Sequence, residues 1–340
     1  MSHTLRTFTV LAVVSLVLGP AALVAEAEPA AKQGPATQAP RNPEGIQGLW
    51  VWRATWVREA DEREALVRFA RTHGFNRLLV QIHRDKGADT PALKYPEQLA
   101  DLIARAAEHG IAVEALDGGP RMARADRQAE TLANLDLVLE FNRALPEGKR
   151  LVGVHYDIEP YVLDEWKADE DTRRTIMRDL VAFYHKVRRR LDAEPVKMTL
   201  AADIPFWYDN KNEPGDDCTL EYEGRTKNLH KHIQDVCDYV GIMSYRRKAT
   251  GRNSVAAVVR NELAYAEQIG KTITPALETI PLSDVPQISF AGTSPAQFWR
   301  VHNEVRAELA DHPGFGGMLT HSYRGLRELL ASTTASRPAP

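Results

Sequence analysis

The stretch Arg105-Ala106-Ala107-Glu108-His109-Gly110-Ile111-Ala112-Val113 holds the end of one helix and the start of one strand. A glycine able to take the left-handed conformation closes the helix, and apolar residues follow at once. Upstream, Leu99, Leu102, Ile103, Ala106 and Ala107 fall on one stripe with a 3.6-residue period. The joint recurs twice: residues 68–74, ending on Gly74, lead into an apolar run through Val80, and residues 264–270, ending on Gly270, lead into Lys271-Thr272-Ile273. A helix that ends on glycine and passes directly into an apolar strand is the αβ joint of a parallel sheet.

Working outward from these joints, eight strands are expected, over residues 49–55, 77–82, 112–116, 152–158, 197–204, 239–244, 272–277 and 317–320. All but one of the gaps hold a helical segment. Eight βα units make either a closed barrel or an open doubly wound sheet. The open sheet would carry a G-x-G-x-x-G turn after its first strand, and Trp56-Val57-Arg58-Glu59 stands there instead. The expected fold is a single (β/α)8 barrel, which places functional groups at the C-terminal ends of the strands.

The flanks read differently. Arg6 precedes an apolar run from Phe8 to Val24, broken by Gly19-Pro20 and followed by Ala25-Glu26-Ala27. A basic start, a short apolar run and an A-x-A exit predict a signal peptide over residues 1–27, cleaved near Ala27, with secreted or periplasmic localisation. After cleavage no permanent membrane span is expected. Residues 28–44 and 332–340 are rich in Ala, Pro and polar residues and are expected to be a disordered linker and tail. This leaves a barrel over residues 45–331, the length of about 250 residues typical of the fold plus some loop growth. The net charge of −3, with both signs dispersed, provides no basic stripe for nucleic acid. Arg188-Arg189-Arg190 ends a long predicted helix, where it complements the dipole. Nothing in the sequence calls for an oligomer, so a monomer is expected. An oxidising compartment would favour a disulfide between Cys218 and Cys237, closing a loop of about 20 residues for about 3 kcal/mol.

The fourth strand carries the chemistry: Leu151-Val152-Gly153-Val154-His155-Tyr156-Asp157-Ile158-Glu159-Pro160-Tyr161. Alternation puts Val152, Val154, Tyr156 and Ile158 on one face and Gly153, His155, Asp157 and Glu159 on the other. The apolar face must meet the helices, so the polar column points into the barrel, where it costs desolvation unless paired or used. Carboxylates two residues apart on one face cannot both ionise cheaply, so one pKa rises. A carboxyl that keeps its proton near neutral pH can donate to a leaving oxygen. Glu159, at the strand tip, is the expected donor, and Asp157, deeper, its partner.

Here the sequence resembles glycoside hydrolase family 18, the chitinase-like barrels. The family's fourth strand reads D-G-x-D-x-D-x-E, and this chain has Gly153, His155, Asp157 and Glu159 at the corresponding steps. The family's sixth strand ends M-x-Y-D, matched here through Met243-Ser244-Tyr245 and then Arg246. Its eighth strand carries Gly-Gly and then a Trp, where this chain has Gly316-Gly317 and then His321. The chain departs at His155, Arg246, His321 and in Leu116-Asp117-Gly118-Gly119, where the family has S-x-G-G. These departures imply a divergent branch for which chitin itself is not the expected substrate.

The resemblance implies a substrate-assisted retaining hydrolase of a polysaccharide or glycan, without a cofactor. Glu159 would be general acid/base, Asp157 would hold the sugar's acetamido group, and Tyr245 would hydrogen-bond the same group. Trp52 and Trp207 are candidate stacking faces, and His155, Asp203, Met243 and His321 candidate substrate contacts. Glu278, predicted at the end of strand seven, opens an alternative: a two-glutamate retaining glycosidase with Glu159 as acid/base and Glu278 as nucleophile, about 5 Å apart. A second alternative is a lectin-like barrel that binds carbohydrate without cleaving it. A metal site built from His155, His83 and His321 is disfavoured, because the first strand reads Trp50-Val51-Trp52 where metal-dependent barrel hydrolases carry H-x-H. No nucleotide loop, serine elbow or flavin motif is present.

Overall fold

A computed structural model describes residues 45–53, 58–85, 91–210 and 217–331. The predicted signal peptide, linker and tail, together with Trp56, lie outside the described residues. Eight parallel strands close into a barrel: β1 (Ile46–Val51), β2 (Arg77–Gln81), β3 (Ala112–Asp117), β4 (Gly153–Asp157), β5 (Thr199–Pro205), β6 (Tyr239–Met243), β7 (Thr272–Glu278) and β8 (Gly317–His321). Each pairs with its sequence neighbours, and β8 returns to β1, with Leu49 beside Thr320. Every predicted strand is present, with ends shifted by up to four residues. Each strand is followed by a helix: α1 (Ala60–Thr72), α2 (Pro96–Ala107), α3 (Gln128–Ala144), α4 (Glu170–Ala193), α5 (Leu229–Val236), α6 (Arg260–Gln268), α7 (Pro295–Leu309) and α8 (Tyr323–Ala331). Among the described residues no helix is long and apolar enough to cross a membrane.

The three joints behave as their glycines require. Gly74, Gly110 and Gly270 have φ of 74°, 68° and 69°. An added Cβ would meet nothing within 4 Å at any of them. Backbone conformation, not crowding, therefore demands glycine there.

The longest helix, α4, shows how the outer layer is built. Asp169 caps it by accepting from Thr172 N at 2.7 Å. Its buried side chains Ile176, Leu180, Phe183, Tyr184, Val187 and Leu191 recur at three- and four-residue steps. They meet the outward face of β4, where Tyr156 packs edge-on against Phe183 with ring centroids 5.1 Å apart. The arginine cluster at its end is structural: Arg188 pairs with Asp192 at 2.8 Å and Asp238 at 2.9 Å, and Arg190 with Asp136 at 2.9 Å. Inside the barrel, Trp50, Leu79, Leu116, Ala276 and Leu319 form a separate small apolar cluster.

The expected Cys218–Cys237 disulfide does not form; both residues are buried and unlinked to each other. The cause is α5. Leu229 N donates to Cys218 O, which fixes Cys218 at the start of that helix, while Cys237 follows its last residue. Eight residues of helix separate the two by about 12 Å. A disulfide needs Cα atoms within about 7 Å.

Candidate active site

The C-terminal mouth gathers most of the chemically capable residues singled out in the sequence. The fourth strand alternates as read: Val154, Tyr156 and Ile158 join the outer apolar layer, while His155 and Asp157 face inward. Strand register sets the neighbours. Asp157 lies beside Asp203 of β5, and Glu278 of β7 beside His321 of β8.

Below the mouth is a charged network. His155 Nε2 is 2.8 Å from Asp203 Oδ2, and its Nδ1 is 3.2 Å from Glu114 Oε2 and 3.1 Å from the Tyr239 hydroxyl. The Tyr239 hydroxyl donates to Glu114 Oε2 at 2.6 Å, and Arg77 pairs with the other Glu114 oxygen. Trp50 Nε1 donates to Asp203 Oδ2 at 2.9 Å. Gly241 makes room for this: a Cβ there would sit 2.1 Å from Asp203 Oδ1. Burial alone would push the His155 pKa down, but Asp203 and Glu114 outweigh it and raise it to about 10. Burial would raise Glu114, yet Arg77 and His155 hold it near 2. His155 and Asp203 are 0% and 1% exposed. Both are expected to touch substrate, and both are buried in this network. Met243 and Glu278 are likewise buried.

Above this network the balance reverses. Asp157 and Glu159 are half-buried and close enough for the charge of Glu159 to act on Asp157. Burial, then the charges of Asp203 and Glu159, push the Asp157 pKa well above the usual carboxylate range, despite the opposing charge of His155. The spacing predicts a raised carboxyl, and the Asp157 pKa is raised. Its Oδ1 is buried and meets no hydrogen-bond partner. Tyr161 donates its hydroxyl to Glu159 Oε2. The Tyr245 hydroxyl is held neutral by burial and by the surrounding charges of Glu278, Asp157, Asp203 and Glu159.

Aromatic groups complete the walls. Tyr161 meets Trp207 edge-on at 5.0 Å. Tyr245 lies over His321 at 6.4 Å and 28°, and His321 meets Trp50 edge-on at 5.6 Å. His321 is thus packed between Tyr245 and Trp50. Its Nδ1 lies 2.9 Å from Glu278 Oε2, and Glu278 Oε1 also accepts from Ile280 N at 2.6 Å. Burial would lower the His321 pKa, but Glu278 raises it. Trp52 is half-buried and packs with Tyr245 against the inner cluster.

Sequence reading missed Tyr161, Glu114, Tyr239 and Arg77. A lone Glu inside the apolar run Ala112-Val113-Glu114-Ala115-Leu116 was a usable signal. Tyr161 had none, because it lies past Pro160, where strand alternation has ended.

No family model matches the chain, and no curated protein matches it. Solved structures do match. An endo-1,4-beta-mannanase from Eisenia fetida aligns at a TM-score of 0.53 and 12% identity, over 83% of this chain and 86% of that one. The spore cortex-lytic enzyme SleL of Bacillus megaterium aligns at 0.50 and 13%, over 84% and 72%. A chitinase from Chromobacterium violaceum aligns at 0.47 and 15%, over 86% of this chain and all of that one. At such identities the first two likenesses establish one thing, that this chain shares the (β/α)8 barrel with them.

Proposed function

We propose that the protein is an exported glycoside hydrolase of the retaining, substrate-assisted type, with Glu159 as general acid/base and Asp157 as its partner. The observation that carries this reading is a buried, unpartnered Asp157 Oδ1 at the barrel mouth, beside Glu159, whose charge helps push the Asp157 pKa up. In the resting site burial and the neighbouring acids favour the protonated form of Asp157. An acetamido N–H of a bound sugar would donate to Asp157 and favour its anionic form. The proton then passes to Glu159, which delivers it to the glycosidic oxygen as the acetamido oxygen attacks the anomeric carbon. Tyr161, donating to Glu159, fixes the carboxyl's direction, and the neutral Tyr245 hydroxyl is available to hold the acetamido oxygen. Trp52 and Trp207 offer ring faces for sugar.

Glu278 supports a different role from the nucleophile of a two-glutamate mechanism. Both its oxygens are engaged, by His321 and by Ile280 N, and it is 3% exposed. It orients His321.

The test is turnover of aryl glycosides and oligosaccharides, with and without N-acetyl groups, by wild type and Glu159→Gln. Loss of a general acid should lower kcat by about 10²–10⁴, and activity should require the N-acetyl group. Binding without turnover in the wild type, unchanged by the substitution, would instead identify a carbohydrate-binding barrel.

A further inference from the structure

The resting charges at the mouth are not confined to the acids. Arg246 follows Tyr245 just beyond the end of β6. Its guanidinium lies over the Phe206 ring at 4.7 Å, at the end of β5 and adjacent in sequence to Trp207, whose ring meets Tyr161. Phe206 and Trp207 thus link Arg246 to Tyr161, which holds Glu159. Its Nε donates to Asn253 Oδ1 and its Nη1 to the Tyr245 carbonyl, both at 2.8 Å. Its Nη2 meets no acceptor among the described residues, nor is it sealed from solvent.

Several of the other arginines are neutralised by acids. Arg63, Arg77, Arg143 and Arg190 each pair with a carboxylate. Among the described residues Arg246 has no carboxylate partner, and neighbouring Arg247 donates only to the carbonyls of Ser289 and Pro286. Arg246 is half-buried, and burial with no compensating anion lowers its pKa. A partly desolvated cation without a counter-ion is costly. A fork already aimed by one edge, with the other end unoccupied, matches an oxyanion.

We infer that Arg246 is a specificity residue that binds an anionic substituent of the glycan, so that the substrate is an acidic saccharide rather than a neutral one. This rests on the hydrolase reading for its site, although the anion preference can be read without turnover. The decisive experiment measures kcat/KM for a panel of acidic oligosaccharides, each beside its carboxyl-reduced or desulfated neutral counterpart, for wild type, Arg246→Lys and Arg246→Met. The wild type should favour the acidic form, and that preference should fall about tenfold or more in Arg246→Met, as expected for a charged hydrogen bond. Arg246→Lys, which keeps the charge but not the fork, should retain an intermediate preference, and added salt should weaken the wild-type preference. Whether carboxylate or sulfate partners give the larger ratio identifies the substituent. Equal kcat/KM for acidic and neutral forms, or a ratio unmoved by Arg246→Met, would overturn the inference. If nothing is turned over, calorimetric affinities of the same pairs decide. An acidic preference lost in Arg246→Met upholds the inference while the hydrolase reading fails, and equal affinities overturn it.

Discussion

His155 and Asp157 are successive inward residues of β4, one pleat apart, yet their surroundings are opposite in electrostatic character. Around His155, two cations and two carboxylates are interleaved: Arg77, Glu114, His155 and Asp203 each touch a group of opposite sign. Around Asp157 the neighbours are Glu159 and Asp203, both acids, with His155 the one opposing charge. The lower group has its charges compensated and the upper one does not. Burial is common to both, so it does not distinguish them. The complement of each charge does. A barrel interior tolerates a polar layer when its charges cancel, and an enzyme can place an uncancelled layer on top of it, where substrate supplies what is missing.

The comparison breaks most readily from below. Glu114→Gln removes one partner from a buried network and should destabilise by about 3–5 kcal/mol in urea unfolding. A loss below 1 kcal/mol would mean that the lower layer is not held by its charges. The next effect is in pH. His155 has its folded pKa raised to about 10 from 6.5, so its contribution is complete below pH 6.5 and is lost as pH rises towards 10. Across that window this proton should cost about 1.4 kcal/mol of stability per pH unit. The slope should be absent in His155→Gln, measured as unfolding free energy against pH. Glu114 gives the acid side: its contribution is present above pH 4.5 and fades as pH falls towards 2.

The smallest effect sharpens the upper layer. Asp157 has a raised folded pKa, so ionising it opposes folding as pH rises above its ordinary range. Asp157→Asn should therefore raise the melting temperature at neutral pH by about 2–4 °C, while turnover falls. A drop in melting temperature would show that the Asp157–Glu159 pair stabilises the fold and would remove the contrast between the layers.

Several parts of this arrangement were legible in the sequence. Glycine-terminated joints and eight apolar runs specify the barrel, because helix caps and strand alternation are local properties of the chain. Alternation alone sends His155, Asp157 and Glu159 inward. The partners of those residues are not local. Glu114 and Tyr239 meet His155 across 41 and 84 residues, and Trp50 reaches Asp203 across 153. They meet because closing the barrel at one register brings particular pleats to the same height. The same closure raised the Asp157 pKa, since it set Asp157 beside Asp203. It also set α5 between two cysteines that spacing alone would have joined. Sequence determined which way each side chain faces; the tertiary structure determined what it faces, because a pKa, an ion pair and a disulfide depend on distances through space that no local period encodes.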